Sequence, residues 1–396
     1  MNAPVCSVIA LALLLGACSA NSGKSRSSDE TPATSPLSTP ATPVPLPVST
    51  APPARTSRIP ASIRADCSVD VTDQIQTWIN RVPDDYELSF APKACYRVDG
   101  TLTLQNRHHL TIDGGDAVIK EVTKGALKRI GVAILGGSDI TVRHLTVWGA
   151  NPTAGARADA YHPDLVGQHG FKVGGATNVL LDHVKARDVY GDFVYIGDDN
   201  RQPSSHISVT NSTFTRSGRQ GITVVDANNV TIKGNTIAGA AKTMFDIEPN
   251  SPWQEATSIH IVDNVTGSAT SFWLANEGAH ANVGDIEIIG NRMTAKTGGL
   301  IFEFANGGPY RDTYVIENNQ FIANDKVGDQ HSKGALFFAH AENITISANR
   351  VTFPAGHDMP AVELRDSHHA HVSGNTFTKA GPTMLATSGT SDYHVS

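Results

Sequence analysis

ISVTN at residues 207–211, VTIKGN at 230–235, IHIVDN at 259–264 and IEIIGN at 286–291 are versions of one motif, a short strand pattern that ends in asparagine. YVIENN at 314–319, ITISAN at 344–349 and AHVSGN at 370–375 continue the series. The final asparagines lie 24 to 30 residues apart, at Asn211, Asn235, Asn264, Asn291, Asn319, Asn349 and Asn375. Self-similarity at a period of this length is typical of a solenoid.

Each repeat contains two further strand patterns. A second apolar stretch follows the asparagine, and a third follows a variable loop, as in FVYIG at 193–197, GITVV at 221–225, MFDIE at 244–248 and SFWLA at 271–275. Three short strands per repeat predict an all-β parallel β-helix of about nine to ten coils, with neighbouring coils about 4.8 Å apart. Asparagine suits the turn, because it tolerates left-handed backbone angles and its amide can bond to the next coil.

The composition agrees with many short strands joined by tight turns. The 396 residues are 40% hydrophobic, 6% aromatic and 17% charged, and they include 35 glycines. This apolar share is too high for global disorder. A net charge of −7 without clustered Lys or Arg excludes a nucleic-acid-binding protein, because neutralising phosphates requires such clusters.

The N-terminal segment predicts export from the cytoplasm. An apolar run at 5–15 has the length of a signal-peptide core and is too short to span a bilayer. Leu15-Gly16-Ala17-Cys18 resembles the lipobox of bacterial lipoproteins, which implies a signal peptide at 1–17 and a lipid on Cys18. We therefore expect a protein anchored at the cell surface by that lipid; the alternative is an ordinary cleaved secretion signal.

The segment after the signal differs in composition from the rest of the chain. Residues 19–60 contain nine Pro, nine Ser and six Thr and no aromatic residue. Such a segment buries too little apolar surface to fold, so we expect a disordered linker at 18–60. The predicted order is then an N-terminal cap and first coil at 61–107, the β-helix at 108–390 and a tail at 391–396.

A helix and a disulfide are predicted for the cap. VDVTDQIQTWINR at 69–81 has helical periodicity, with Thr72 as the cap residue and Ile75, Trp78 and Ile79 as the apolar stripe. Such a helix would cover the open end of the β-helix. Cys67 and Cys95 are the remaining cysteines after Cys18, and in an exported protein they favour a disulfide over a metal pair or a catalytic thiol.

The order VDVTDQIQTWI at 69–79, YRVDGTLTLQNRHHLTIDGG at 96–115 and then asparagine-marked coils resembles the pectate-lyase-like superfamily of right-handed parallel β-helix proteins. The resemblance covers about residues 65–390. It implies a right-handed solenoid with a substrate groove along one outer sheet. The superfamily includes polysaccharide lyases, glycoside hydrolases, uronan epimerases and phage tailspikes, so it does not fix the reaction. The motifs of polygalacturonases match only in part. In those enzymes an Asp-Asp pair comes before a Gly-His-Gly motif. Here Asp198-Asp199 is such a pair, but Gln168-His169-Gly170 precedes it along the chain.

Superposition of the third strands predicts an outward column on one face. The inward residues used for this alignment are Val194, Ile222, Phe245, Phe272, Leu300, Leu336 and Val362. The residue after each of them belongs to the outward column, which contains Tyr195, Thr223, Asp246, Trp273, Ile301, Phe337 and Glu363. The next outward column includes Glu248 and Glu303, and Asp198, Asp226 and Asn276 follow just beyond. Several carboxylates are therefore expected on one face.

Three of these carboxylates are the predicted catalytic set. Asp246 and Glu248 are two residues apart on one strand, so both should point outward, and Asp226 lies one coil earlier. Carboxyl pairs of this spacing suit glycoside hydrolysis, and crowding would raise one pKa so that the group can act as an acid. Each acid alone is also compatible with a turn, since Asp commonly caps strand ends.

The predicted substrate-binding residues surround this set. Trp273 and Tyr195 offer flat faces for sugar rings, and Arg219 and Gln220 open the strand before Asp246. The remaining members are polar residues of the same face or its walls: Asp198, Asp199, Asn276, Glu303, His169 and Lys242.

Three functions are compatible with this pattern. The first is a glycoside hydrolase that uses Asp246, Glu248 and Asp226 on a polysaccharide and needs no cofactor or metal. The second is a Ca²⁺-assisted lyase or epimerase, in which Asp198, Asp226, Asp246 and Glu248 hold the ion and Arg219 or Lys242 moves the proton. The third is a surface lipoprotein that binds glycans without catalysis. We expect a polysaccharide partner, no nucleic acid, membrane contact only through Cys18, and a monomer.

Overall fold

The computed structural model describes residues 55–125, 128–277, 281–305, 308–324, 334–354, 360–378 and 384–396. The predicted signal peptide, the lipidated Cys18 and the linker up to residue 54 lie outside the described residues. In the described part, every pairing between named strands is parallel, and no helix is long and apolar enough to cross a membrane.

The described strands are short and follow one another closely. In chain order the first seventeen are β1 (Arg55–Arg58), β2 (Asp66–Asp70), β3 (Tyr86–Ser89), β4 (Cys95–Arg97), β5 (Leu102–Gln105), β6 (His108–Lys120), β7 (Val132–Leu135), β8 (Ser138–Trp148), β9 (Phe171–Gly174), β10 (Thr177–Asp182), β11 (Lys185–Val189), β12 (Val194–Gly197), β13 (Ser204–Thr210), β14 (Thr213–Ser217), β15 (Ile222–Val224), β16 (Ala227–Lys233) and β17 (Thr236–Ala240). The others are β18 (Phe245–Ile247), β19 (Glu255–Val262), β20 (Val265–Thr266), β21 (Ala269–Glu277), β22 (Asn282–Ile289), β23 (Arg292–Met293), β24 (Thr297–Phe304), β25 (Arg311–Glu317), β26 (Gln320–Ile322), β27 (Leu336–Ala339), β28 (Ala341–Ser347), β29 (Arg350–Thr352), β30 (Val362–Arg365), β31 (His368–Ser373), β32 (Thr376–Thr378), β33 (Leu385–Ser388) and β34 (Ser391–Val395).

Register sorts these strands into three sheets that wind around one core. The first sheet contains β1, β3, the first halves of β6 and β8, and then β10, β13, β16, β19, β22, β25, β28, β31 and β34. The second contains β2, β4, the second halves of β6 and β8, and then β11, β14, β17, β20, β23, β26, β29 and β32. The third contains β5, β7, β9, β12, β15, β18, β21, β24, β27, β30 and β33.

The predicted β-helix is confirmed, and it has more coils than expected. The third sheet alone has eleven described strands, against the nine to ten coils predicted from the repeat. The difference arises at the ends. Residues 55–107 contribute strands without the asparagine mark, and β34 occupies the predicted tail at 391–396. The predicted linker boundary at residue 60 is likewise too late, because β1 already pairs with β3.

Six of the seven marked asparagines form a ladder along the turn between the first two sheets. Asn264 donates from its backbone N and its Nδ2 to Oδ1 of Asn291, at 3.0 Å in both cases, and Nδ2 also donates to the carbonyl of Ile232. The same bonds repeat from Asn235 to Asn375. Asn211 is the exception: it has φ 50°, and Ser212 takes the ladder position instead. The left-handed residue therefore precedes the ladder asparagine, as at Gly290 with φ 69°.

The predicted N-terminal helix and disulfide are both present. Helix α1 spans Thr72–Arg81 and buries Ile75, Trp78 and Ile79 against the first coils. The predicted cap at Thr72 is wrong, because its hydroxyl donates to Asp70 and accepts from the backbone N of Gly100, and no side chain caps the helix. Cys67 and Cys95 form a disulfide with a Cα–Cα distance of 5.1 Å.

Candidate functional site

The outward face of the third sheet is polar in its first half and apolar in its second. Strand register places one column of side chains along this face: Lys172, Tyr195, Thr223, Asp246, Ala275, Phe302, Phe337 and Glu363. The rings of Phe302 and Phe337 stack at 5.4 Å. The polar half, from Lys172 to Asp246, is the candidate functional site.

Three predicted substrate-binding residues face the core, so their predicted role is wrong. Leu274, and not Phe272, aligns with Phe245, so the predicted column fails at β21. Trp273 is fully buried between Phe245 and Phe321, and its Nε1 donates to Thr266.

The other two belong to a polar network inside the solenoid. Glu303 accepts from Arg311 at 2.8 Å and from the hydroxyl of Tyr314 at 2.6 Å, and Asn276 contacts both of those partners. Neither Glu303 nor Asn276 exposes any surface. Neither can touch a substrate.

Asp246 and Glu248 form a pair of unequal exposure. Asp246 is 5% exposed and accepts from Nε2 of Gln220 at 2.6 Å, whereas the side chain of Glu248 is 34% exposed and accepts from Nη2 of Arg219 at 2.7 Å. Burial, followed by the neighbouring Glu248 carboxylate, raises the pKa of Asp246 well above its usual range, and Arg219 opposes this shift. Burial and the neighbouring carboxylate therefore favour the protonated form of Asp246, which lies on the inner side of the pair with Glu248 on the solvent side.

The buried Asp192 binds the residues that contact the Asp246–Glu248 pair. Its carboxylate is fully buried and accepts from Nη1 of Arg219 at 3.1 Å, from the hydroxyl of Thr223 at 3.0 Å and from the backbone N of Gln220 at 3.0 Å. Sequence reasoning missed this role. Extending the register of Val194 with Ile222 by two residues places Asp192 opposite Gln220, and that alignment could have found it.

Tyr195 is the partly exposed aromatic residue next to the acidic pair. Its ring stacks on His169 at 4.8 Å, and Nζ of Lys172 lies 5.5 Å from its centroid. Burial, with the Asp192 and Asp198 carboxylates adding to it, raises the pKa of Tyr195 to about 12, so its hydroxyl stays protonated.

His169 lies beneath that ring as a neutral side chain. Burial lowers the pKa of His169 to about 4, although Asp192 opposes this, and its Nδ1 accepts from the backbone N of Asp192 at 3.1 Å. We take the neutral form over an ion pair with the Asp192 carboxylate at 3.5 Å, because an accepting Nδ1 carries no proton.

Asp226 faces a second acidic group and not Asp246. Its Oδ1 accepts from the backbone N of Glu255 at 2.9 Å, and no contact among the described residues joins it to Asp246 or Glu248. Burial raises the pKa of Asp226 to about 6, and the Asp198 and Glu255 carboxylates add to the shift. The predicted catalytic trio is thus split, and the four carboxylates proposed for Ca²⁺ do not converge on one point.

The remaining predicted residues lie on loops around the site. Asp198 accepts from Nε2 of Gln254 at 3.3 Å and from the backbone N of Arg201 at 3.1 Å, which fixes its carboxylate beside Tyr195. Asp199 forms a tight backbone bridge with Gln202. Nζ of Lys242 lies 4.4 Å from the ring of Tyr161.

One exposed aromatic residue of these loops was not predicted. Trp253 is 47% exposed, and the guanidinium of Arg201 lies 5.5 Å from its ring. Its position five residues after Glu248, in a loop that begins with Pro249-Asn250, is the signal that could have found it.

We expect Asp226→Asn to stabilise the protein at pH 7 and to have little effect at pH 4. Asp226 is 1% exposed, and its Oδ2 has no hydrogen-bond partner in the described part of the chain. The pKa of Asp226 is about 6 in the folded protein, against about 3.8 in the unfolded chain. The protonated carboxyl therefore contributes fully to the free energy of unfolding below about pH 4, and this contribution is lost as the pH rises through 6. The expected gain is about 3 kcal/mol at pH 7, measured by chemical unfolding across this range. The exposed Asp164→Asn is the control; an equal change in both variants, or no pH dependence, would contradict this account.

Two cavities in the described part of the chain lie away from this face. Cavities of about 500 and 420 Å³ are lined by residues of the N-terminal cap, among them Trp78 and Arg107. The candidate site is instead an open face whose walls are loops. Among the residues that the structure describes, no three His, Cys, Asp or Glu side chains are arranged to hold a metal ion.

The three stacked sheets and the single internal core define a parallel β-helix protein. The chain matches the family model described as the right handed beta helix region over residues 102–377, and it belongs to this family. A search of curated protein sequences gives no match.

Solved structures share this fold at low sequence identity. The A-module of a mannuronan C-5 epimerase from Azotobacter vinelandii is 17% identical, with a TM-score of 0.61, 86% of this chain covered and 99% of that one. A surface protein and adhesin of Streptococcus pneumoniae is 15% identical, with a TM-score of 0.60 and coverage of 85% and 96%. A family 28 exopolygalacturonase from Yersinia enterocolitica is 11% identical, with a TM-score of 0.58 and coverage of 86% and 78%. These similarities concern the fold alone.

Proposed function

We propose that the chain is a glycoside hydrolase that cleaves a polysaccharide on the outward face of the third sheet. The observation that carries this proposal is the Asp246–Glu248 pair, in which a buried carboxyl with a raised pKa lies beside a carboxyl that reaches solvent. Environments that push the pKa values of two neighbouring acids apart are typical of acid catalysis. Glu248 would touch the substrate, and Asp246 would position and supply the proton.

Asp198 is the proposed base. It lies two coils before Glu248, which separates their backbones by roughly 10 Å along the axis. This spacing suits an inverting hydrolase, whose two carboxyl groups lie about 6.5–9.5 Å apart with a water molecule between sugar and base. Asp198 would take a proton from that water as its oxygen bonds to the anomeric carbon. The bond from that carbon to the leaving oxygen breaks, and the oxygen receives a proton from Glu248, which takes the proton held by Asp246, so that Asp246 is left as the carboxylate.

The surroundings support a sugar substrate. The carboxylates of both proposed catalytic groups act on Tyr195, whose hydroxyl is protonated and can donate to a sugar oxygen. The exposed ring of Trp253 offers a flat apolar face of the kind that stacks on sugars. Proteins of similar fold include, by name, an exopolygalacturonase and a mannuronan C-5 epimerase. We further propose that the protein acts outside the cytoplasm as a monomer, tethered by a lipid on Cys18.

A lyase or epimerase is the second candidate, because Lys172, Tyr195 and His169 form a stack that a proton abstraction could use. The identity of the product separates the two reactions. A hydrolase gives a reducing end and no double bond, whereas a lyase gives an unsaturated sugar that absorbs in the ultraviolet.

The test is to incubate the full-length protein with a panel of neutral and acidic polysaccharides and to record reducing ends, ultraviolet absorbance and the anomer formed first by proton NMR. We expect new reducing ends with inverted configuration and no gain in absorbance. Retained configuration would contradict the role of Asp198, and an unsaturated product would favour the second candidate. Binding of a polysaccharide without cleavage of any member of the panel would contradict catalysis and favour a glycan-binding protein.

A further inference from the structure

The outward face of the second sheet is basic, although the chain as a whole carries a net charge of −7. Strand register defines two columns on this face. One runs from Cys95 to Thr376 through Lys185, Arg292 and Arg350. The other runs from Arg97 to Ala238 through Lys120, Trp148 and Arg187. Neither column contains an aspartate or a glutamate.

Four of these six cations have no carboxylate partner in the described part of the chain. Arg97 pairs with Asp99 at 2.7 Å, and Lys185 lies 3.9 Å from Asp116. The unpaired four are Lys120, Arg187, Arg292 and Arg350. This is unusual in a molecule whose other arginines are mostly bound to acids, as Arg216 is to Asp188 with contacts of 2.6 and 2.8 Å.

Packing fixes the position of two of the unpaired cations. Nζ of Lys120 lies 4.4 Å from the ring centroid of Trp148, and the guanidinium of Arg187 lies 3.7 Å from it. Such contacts hold the two charges two coils apart, with Trp148 on the coil between them, and do not neutralise them. Arg292 and Arg350 are exposed and are separated by Gln320 alone in their column.

The cations follow the solenoid axis in two adjacent columns. From Lys120 to Arg350 there are eight steps between coils, which is roughly 40 Å at the spacing of paired strands. Exposed threonines fill the positions between the basic groups, at Thr213 and Thr236 for example. A flat row of hydroxyls and unpaired cations matches an extended polymer that carries both hydroxyls and anionic groups.

We propose that this face of the second sheet binds a linear anionic polysaccharide that lies along the solenoid axis, at a site separate from the third-sheet face. The proposal does not depend on hydrolysis at the other face. A nucleic acid is the less suitable partner. The ring of Trp148 already packs against two cations and offers no free face for a base, and four unpaired cations are few for a phosphate backbone.

The test uses alginate as the anionic polysaccharide and measures its affinity for the full-length protein at low salt. The variants are the pairs Lys120→Gln with Arg187→Gln and Arg292→Gln with Arg350→Gln, and then all four together. Each pair is expected to weaken binding about tenfold, and the fourfold variant by about a hundredfold, because exposed ion pairs contribute modestly and additively. The loss is expected to shrink as salt is raised.

The controls decide where the polymer binds and what kind of polymer is preferred. Arg58→Gln with Lys233→Gln removes the same charge from the first sheet and is expected to leave affinity unchanged, as is Arg365→Gln on the third sheet. Thermal unfolding checks that every variant is folded. Absence of binding, equal losses in the Arg58 and Lys233 control, a comparable loss in Arg365→Gln, or equal or tighter binding of double-stranded DNA would each overturn the proposal.

Discussion

Glu248→Gln is expected to reduce polysaccharide cleavage by about 10³-fold, because glutamine keeps the shape of the side chain but cannot donate a proton to the leaving oxygen. Asp246→Asn is expected to reduce it less and to change its pH dependence. In the native pair the proton is retained by burial of Asp246 and by repulsion between the two carboxylates. Without the Asp246 carboxylate that repulsion is gone, so the pH above which activity falls should move downward.

These rates are measured as initial release of reducing ends between pH 4 and 8. Glu317→Gln, on the first sheet, is the matched control and should retain full activity. Asp246 would not share a proton with Glu248 in either of two cases. In the first, Asp246→Asn shifts the alkaline limb of the pH–rate profile to higher pH. In the second, it lowers the rate at every pH and leaves that limb at the same pH. If Glu248→Gln cleaved at the native rate, the proposed acid would be wrong.

Asn291→Ala is expected to lower the free energy of unfolding by about 4 kcal/mol. The change removes the acceptor of two buried donors of Asn264, and it removes the donor to the carbonyl of Ile261. Each buried group that loses its partner costs about 1–3 kcal/mol. The measurement is chemical unfolding followed by circular dichroism, with fluorescence as a second probe of cooperativity.

Asn375→Ala is the matched comparison at the end of the ladder. Asn375 accepts the same two bonds from Asn349, but it is only half-buried, so water can replace part of what is lost. We expect Asn375→Ala to lower the free energy of unfolding by less than half as much as Asn291→Ala does. Equal losses at the two positions would mean that burial does not set the strength of the ladder.

The fold followed from the sequence because its determinants repeat. The ladder asparagines recur in every coil from Asn235 onward, and each is needed where it stands, since a buried turn must satisfy its backbone groups. The cap was also predictable from the periodicity of Ile75, Trp78 and Ile79. The first coils lacked the mark and were placed less accurately, as β1 at Arg55–Arg58 shows.

The site was predictable only for those strands of the third sheet whose register could be aligned from the sequence. From Tyr195 to Asp246 the third strands align without a gap, and Asp246, Glu248, Arg219 and Gln220 do come together. At β21 Leu274 takes the inward position two residues later than predicted, and the irregular register between Ala269 and Phe272 accompanies a break in the alternation, so that Trp273 also lies in the core. No pattern of polar and apolar residues reports such a shift, because the aromatic Trp273 fits either side of the sheet. Asp226 shows the same limit, since the direction of its carboxylate depends on the backbone N of Glu255.

The link between Cys67 and Cys95 changes how the molecule would respond to a pull on its N-terminal end. Tension entering at β1 can peel away the chain up to Cys67, but there the load passes through the sulfur bridge directly to Cys95 on the neighbouring coil. The 27 intervening residues, including α1, carry none of that load. The helix that closes the hydrophobic interior would therefore stay seated under a mechanical stress that strips the outermost strand.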